Sequence, residues 1–278
     1  MMKRTRSRSA RDMEILESII LLLGAGLAAG FIAGLAGIGG GMLVVPALFF
    51  IFHGMDLDEN GLMHLAAGTS LCIMIGTSIS SIISHEKADD IIWSIFRKVL
   101  PGIIIGVVAG GILAYFIPSR MLAVIFGVIM ILVSLTMITG LAAKKGMEGL
   151  PPSGIIIAAG SVIGFKSGLL GVGGGALSVP FLTWCGLPVA KISGTSSTFT
   201  LPAAVTGTIV FLATGYIDGM HMPWTTGYVY WPAVLTVGAG SIVMAPLGSK
   251  LSHHVPRKGM RIGFGFLLLF LGIRMILP

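Results

Sequence analysis

Two runs of three glycines, Gly39-Gly40-Gly41 and Gly173-Gly174-Gly175, each precede a short apolar stretch, Met42 to Phe52 and Ala176 to Cys185. Without Cβ atoms the backbone can leave helical geometry there at low steric cost. A short helix beginning at Met42 or Ala176 presents first N–H groups that have no partner within the helix. Together with the positive end of the helix dipole they make an anion site. The expected chemistry is therefore recognition of negative charge by main-chain donors at Gly39, Gly40, Gly41 and Met42, and at Gly173, Gly174, Gly175 and Ala176. A tight helix crossing with no ligand is the competing explanation. A dinucleotide fingerprint is not supported, because Gly37-Ile38-Gly39-Gly40-Gly41-Met42 lacks the sixth-position glycine and follows no plausible strand.

Hydroxyl groups and one amine add to this set. Thr69-Ser70 and Thr195-Ser196 follow glycines near the starts of apolar segments, where they are ready donors to an oxyanion or, alternatively, partners of their own helix carbonyls. Lys166 is the one cation well inside an apolar run, five positions before the second break. Intramembrane charge is costly and usually functional, although a lysine can also snorkel to the interface. His64, His85, Glu86, Asp56, Asp58, Asp218 and His221 fall at span ends or in loops and read as interfacial. No nucleophile–base set, carboxylate pair or metal spacing occurs, which argues against an intramembrane enzyme and implies no metal or cofactor. Cys72 and Cys185 give no disulfide framework and read as small packing residues.

The elements carrying these residues are duplicated. GFIAGLAGIGGGMLVVP at Gly30 to Pro46 returns as GFKSGLLGVGGGALSVP at Gly164 to Pro180, with eleven of seventeen positions identical. Gly68-Thr69-Ser70 is answered by Gly194-Thr195-Ser196, and Trp93, Gly102, Gly110, Pro118 and Gly127 by Trp231, Gly240, Gly248, Pro256 and Gly265 at an offset of 138. Hydrophobic runs and their breakers predict five helical elements per half, at 15–36, 42–52, 62–84, 97–117 and 120–140, then 152–170, 176–185, 192–214, 228–249 and 260–277. The division is a basic tail over 1–14, a first transmembrane repeat over 15–140, an inter-repeat loop over 141–151 and a second repeat over 152–278. An odd number of elements per half inverts the second copy, with the two breaks meeting near the bilayer centre, the arrangement of many secondary transporters. The Gly-x-x-x-Gly series at Gly26/Gly30/Gly34, Gly102/Gly106/Gly110 and Gly160/Gly164/Gly168 implies close helix packing.

Composition points the same way, with 55% hydrophobic and 10% charged residues over 278 positions, against about 25% charged in soluble domains. The net charge of +7 sits in short gaps between apolar runs rather than in a stripe with interleaved aromatics, so no nucleic-acid partner is expected and membrane lipid is. Loops at 85–98, 141–150, 186–191 and 250–261 hold ten basic residues and are assigned to the cytoplasm; the arginine-rich tail runs against that assignment.

The duplicated GxxxGLxGxGGGxLxVP pattern with its trailing GTS resembles the TauE/SafE family of sulfite exporter and toluenesulfonate uptake permease-like proteins, over almost the full chain. The resemblance implies a multi-pass plasma-membrane secondary transporter of a small sulfur-containing anion, such as sulfite, thiosulfate or an organosulfonate. Lys166, at a position usually apolar or small, and the basic tail depart from the family pattern, which leaves room for a specialised substrate. The expectation is an all-α integral membrane protein of two inverted repeats, an alternating-access carrier and a possible homodimer, with its site at the breaks, Thr69, Ser70, Lys166, Thr195 and Ser196. The alternative is a non-transporting membrane assembly or lipid-interacting module in which the glycines only pack helices.

Overall fold

The computed structural model describes residues 19–32, 41–55, 60–139, 151–220, 222–252 and 257–277. The helices are α1 (Ile19–Ile32), α2 (Gly41–Gly54), α3 (Leu62–Lys87), α4 (Trp93–Phe116), α5 (Ser119–Thr139), α6 (Ser153–Leu170), α7 (Gly175–Trp184), α8 (Val189–Ile217), α9 (Trp231–Ser252) and α10 (Arg257–Ile276). From α2 to α10 they match the elements predicted from the apolar runs to within a few residues; of the first predicted element, 15–36, residues 15–18 and 33–36 lie outside the described residues. One difference is local. Residues 228–230, assigned above to the ninth helix, form part of a hairpin between β1 (Thr225–Thr226) and β2 (Val229–Tyr230), paired antiparallel as Thr225 with Tyr230 and Thr226 with Val229. Gly227, at φ +52°, makes the tight turn.

Six described helices are long and apolar enough to cross a bilayer. Large apolar side chains such as Ile105, Phe116, Leu132 and Ile209 face outward on them, which is stable only where lipid replaces water. The chain is an all-α integral membrane protein.

Glycine decides the closest helix contacts. A Cβ on Gly102, Gly106 or Gly110 of α4 would fall 2.1–2.2 Å from the carbonyl oxygens of Ile157, Ser161 and Phe165 of α6. The facing residues advance together, so α4 and α6 run parallel with backbones in contact. The same relation holds between α1 and α9, where a Cβ on Gly26 or Gly30 would meet Val237 or Ser241 backbone at 2.6 and 2.5 Å. Ser241 Oγ also donates to Gly26 O at 3.1 Å. In each case the first helix of one predicted repeat packs against the fourth helix of the other.

Corresponding helices of the two predicted repeats pair in the opposite sense. Along α3 and α8, Gly68 lies against Phe211 and Leu71 against Gly207, while Ser81 Oγ is 2.9 Å from Ser197 Oγ near the other end. Along α5 and α10, Arg120 donates to the carbonyls of Met275, Ile276 and Leu277, Gly127 meets Gly272 O, and Ser134 Oγ donates to Gly265 O at 2.8 Å. Both pairs are antiparallel. The contacts of α2 on α3 and α7 on α8, and of α3 on α9 and α8 on α4, also exchange when the halves are exchanged.

Candidate functional site

The second break is built by a residue outside the triple glycine. Helix α6 ends on Gly171, whose φ of +70° is left-handed and whose N–H donates to Ser167 O at 3.0 Å. A Cβ there would also fall 2.3 Å from Ala67 Cα of α3. Gly174, at the N-cap of α7, has ordinary helical angles (φ −58°, ψ −25°), and a Cβ on it would make only 3.4 Å contacts with Ile163 and Phe199. The conformational freedom expected of the glycine run is thus needed at Gly171, and Gly173 is constrained by space. Its Cβ would lie 2.6 Å from Thr200 Cγ2 and 2.9 Å from Met74 Sδ.

The described end of the first break comes to the same place. A Cβ on Gly41, the first residue of α2, would be 2.0 Å from Met74 Cε and 3.1 Å from Gly173 N. Met74 on α3 is the wedge between the breaks, and the Gly173 N–H donates to its sulfur at 3.1 Å. Met74 and Thr200 each lie four residues, one helical turn, beyond Ser70 and Ser196 of the GTS segments. Gly39 and Gly40 lie outside the described residues; Gly175 and Ala176 open α7.

Lys166 stands at this junction. It is 8% exposed, and its Nζ donates to Gly173 O at 3.3 Å. It is therefore not a snorkelling lysine. An ammonium has three donors, and this is the one protein hydrogen bond recorded for it among the described residues. It borders a cavity of about 10 Å³ with Met42 of α2, Phe126, Ile129 and Met130 of α5, and Leu170 and Val172 at the second break. That is space for about one water molecule. The amine thus stands near the end of α6 among thioether, aromatic and aliphatic groups.

The hydroxyl segments do two different things. Thr69 Oγ1 accepts the Tyr230 N–H at 3.0 Å, and Thr195 Oγ1 accepts the Ile92 N–H at 3.1 Å. Tyr230 and Ile92 immediately precede Trp231 and Trp93, the starts of α9 and α4. The preceding glycines complete the match: a Cβ on Gly68 would meet Tyr228 O at 2.3 Å, and one on Gly194 would meet Asp90 O at 2.5 Å. Each Gly-Thr pair is thus a latch on the chain entering the other half's fourth helix. The serines diverge. Ser196 Oγ lies 2.5 Å from Ser178 Oγ of α7, whereas Ser70 Oγ is buried without a hydrogen-bond partner among the described residues. The repeat position of Ser178 is Val44, which offers no hydroxyl. Ser197 and Thr198 bond carbonyls of their own helix, Ser193 O and Thr195 O.

Several participants were not singled out from the sequence. Met74 and the α5 residues of the cavity carry no polar signature, although Met74 could be found by its register with the GTS segment. Two residues read as interfacial are not free surface groups: His64 is buried, and His85 Nδ1 lies 3.6 Å from Asp90 Oδ2 beside a Lys191–Asp89 ion pair at 3.7 Å. Among the described residues no cluster of three metal-ligating side chains occurs.

The profile of the sulfite exporter TauE/SafE family matches residues 22–275. The chain belongs to this family. A probable membrane transporter protein of Haemophilus influenzae is 32% identical over 262 residues, covering 93% of this chain and 98% of the relative. One of Methanocaldococcus jannaschii is 30% identical over 267 residues, covering 96% and 98%. A third, from Bacillus subtilis, is 28% identical over 277 residues. No solved structure matches the chain. The TauE/SafE membership and the spanning helices make it a multi-pass membrane protein with membrane transporters as relatives.

Proposed function

We propose that this protein is a plasma-membrane secondary transporter of a small sulfur-containing anion, sulfite, thiosulfate or an organosulfonate, whose site is the junction of the two breaks. The observation that carries the reading is the buried Lys166 ammonium, placed with Met42 at a shared cavity and bonded to Gly173 O. An anion entering there gains a charge partner in a medium that screens little. Gly41, Gly173 and the start of α7 supply main-chain contacts, and Ser70 and Ser196, one helical turn before Met74 and Thr200, supply hydroxyls. Thr69 and Thr195 hold the frame around the site. Metal and covalent chemistry have no part in this reading.

Alternating access is proposed to follow from two inverted repeats, 15–140 and 152–278, rocking around the junction. Its support is the antiparallel pairing of α3 with α8 and of α5 with α10, as expected of copies related by an axis in the membrane plane. The test is a thermal-shift screen of purified protein against sulfite, sulfate, thiosulfate, taurine, isethionate and sulfoacetate. A ligand that binds only the folded state raises apparent stability. At least one of these anions is expected to stabilise the wild type and to have no effect on Lys166→Met. Equal stabilisation of both proteins rules out the Lys166 site, and stabilisation by none of the anions favours a packing or lipid-interacting module.

A further inference from the structure

A second buried titratable cluster lies away from the Lys166 cavity, where α3 begins. His64, in the first turn of α3, is 4% exposed, and its Nε2 is 2.9 Å from Ala114 O in the last turn of α4. Its Nδ1 is buried with no hydrogen-bond partner among the described residues. The ring stacks on Tyr228, with centroids 5.1 Å apart and planes at 29°. The Tyr228 hydroxyl donates to Asp218 Oδ2, and Asp218 is exposed at the C-cap of α8. Contacts therefore run from a surface carboxylate through a phenol to a buried imidazole.

Burial opposes a second proton on this ring, and three partners offset part of that cost. The carbonyls closing α4 carry the negative end of its dipole, the Asp218 carboxylate is within electrostatic reach, and the Tyr228 ring offers a π face to a cation. Nearby elements add few other titratable groups. Helix α4 contributes Tyr115. Helix α5 contributes Arg120, already engaged by the carbonyls of 275–277, and α2 an exposed His53. Helix α9 opens on Trp231, and Tyr230 of the hairpin packs edge-to-face on Phe52. Asp56, Asp58 and Glu59 lie outside the described residues.

The position is also wired to the frame of the site. Tyr228 O is the atom that Gly68 admits, and the Tyr230 N–H is the one Thr69 accepts. The hairpin that stacks on His64 is thus the hairpin latched to α3 at Gly68 and Thr69, about one and a half turns before Met74. The repeat position of His64 is Ala190, at the same offset of 126 that relates the GTS segments, so the fold does not require an imidazole there.

We propose that His64 is a proton-binding site that couples anion movement to a proton gradient, with Asp218 and Tyr228 as positioning residues linking it to one membrane face. The proposal rests on the transport reading above. In each cycle one proton is taken up at Nδ1 and released from it, and no bond other than N–H is made or broken.

The test uses full-length protein in liposomes containing a pH dye, with radiolabelled thiosulfate or sulfite as probe. Self-exchange of labelled for unlabelled anion needs no net proton transfer, so it reports a working carrier, while dye and label together give protons moved per anion. Wild type is expected to move protons with the anion, and His64→Gln to lose that accompaniment. Tyr228→Phe keeps the ring and the stack but cuts the link to Asp218, and it is expected to shift the pH dependence of net uptake; this arm decides the matter if His64→Gln does not fold. An unchanged ratio in His64→Gln, an unchanged pH profile in Tyr228→Phe, or proton-free uptake by wild type overturns the proposal. If wild type fails even at self-exchange with every anion of the screen, the transport reading falls, and the coupling with it.

Discussion

At the scale of single residues, Lys166 carries the heaviest energetic consequence. Replacing a buried charge by an apolar side chain of similar volume is often neutral or stabilising, because the desolvation cost disappears. Lys166→Met is therefore expected to melt no lower than wild type in the absence of anion and to lose affinity for it, as read by calorimetry. Arg keeps the charge with a different shape and reach, so Lys166→Arg should retain part of the affinity. Unchanged binding by the Met variant would reduce Lys166 to a structural partner of Gly173. The threonine latches make the opposite prediction. Thr69→Val or Thr195→Val strips a backbone N–H of its acceptor at a cost of about 1–3 kcal/mol, so both should lower the melting temperature without selective loss of anion affinity. The amine was legible in the sequence because a cation in an apolar run stands out. The latches were not, since a hydroxyl beside a glycine reads equally as ligand or as frame until its neighbour across the repeat is known.

At the scale of elements, glycine has separable duties. In the α4–α6 pair it lets backbones touch: a Cβ on Gly106 would lie 2.1 Å from Ser161 O and 2.7 Å from Phe165 N, with no flexible side chain able to yield. At the second break Gly171 is strained for any other residue, whereas Gly174 has helical angles and only ordinary neighbours. Gly106→Ala and Gly171→Ala are expected to reduce the yield of folded protein sharply, and Gly174→Ala to be tolerated, as judged by monodisperse recovery in detergent. Good recovery of Gly106→Ala would mean that α4 and α6 stand further apart than described. The helices themselves were legible because apolar runs and Gly/Pro breakers are local signals. The β1–β2 hairpin was missed because it spans two residues per strand and joins an apolar helix directly. The facing of Met74 and of Phe126 toward one junction depends on how α2, α3 and α5 pack, which no local pattern records.

At the scale of the molecule, hydrogen bonds and ion pairs sort the described helix ends into two faces. One face holds the end of α3, the starts of α4 and α8, and the Lys191–Asp89 pair. The other holds the starts of α3 and α5, the ends of α4, α8 and α10, and the hairpin. Basic residues of the described chain concentrate on the first face, with Lys87, Arg97, Lys98 and Lys191, which the bias of cytoplasmic loops assigns inward. Single cysteines replacing Lys98 and Asp218 in intact cells should then react with an impermeant thiol reagent only at position 218; the reverse pattern would invert the protein. The duplication of the glycine runs and the GTS segments is what predicts a two-part plan, because the breakers recur in both copies. The central claim is that the junction of the two breaks carries an anion across the membrane, and its most direct test is flux through purified protein in sealed liposomes. Radiolabelled sulfite, thiosulfate or taurine should enter protein-containing vesicles faster than empty ones, saturably, with the rate lost in Lys166→Met at equal reconstitution; entry no faster than into empty vesicles for every anion of the screen would contradict the account.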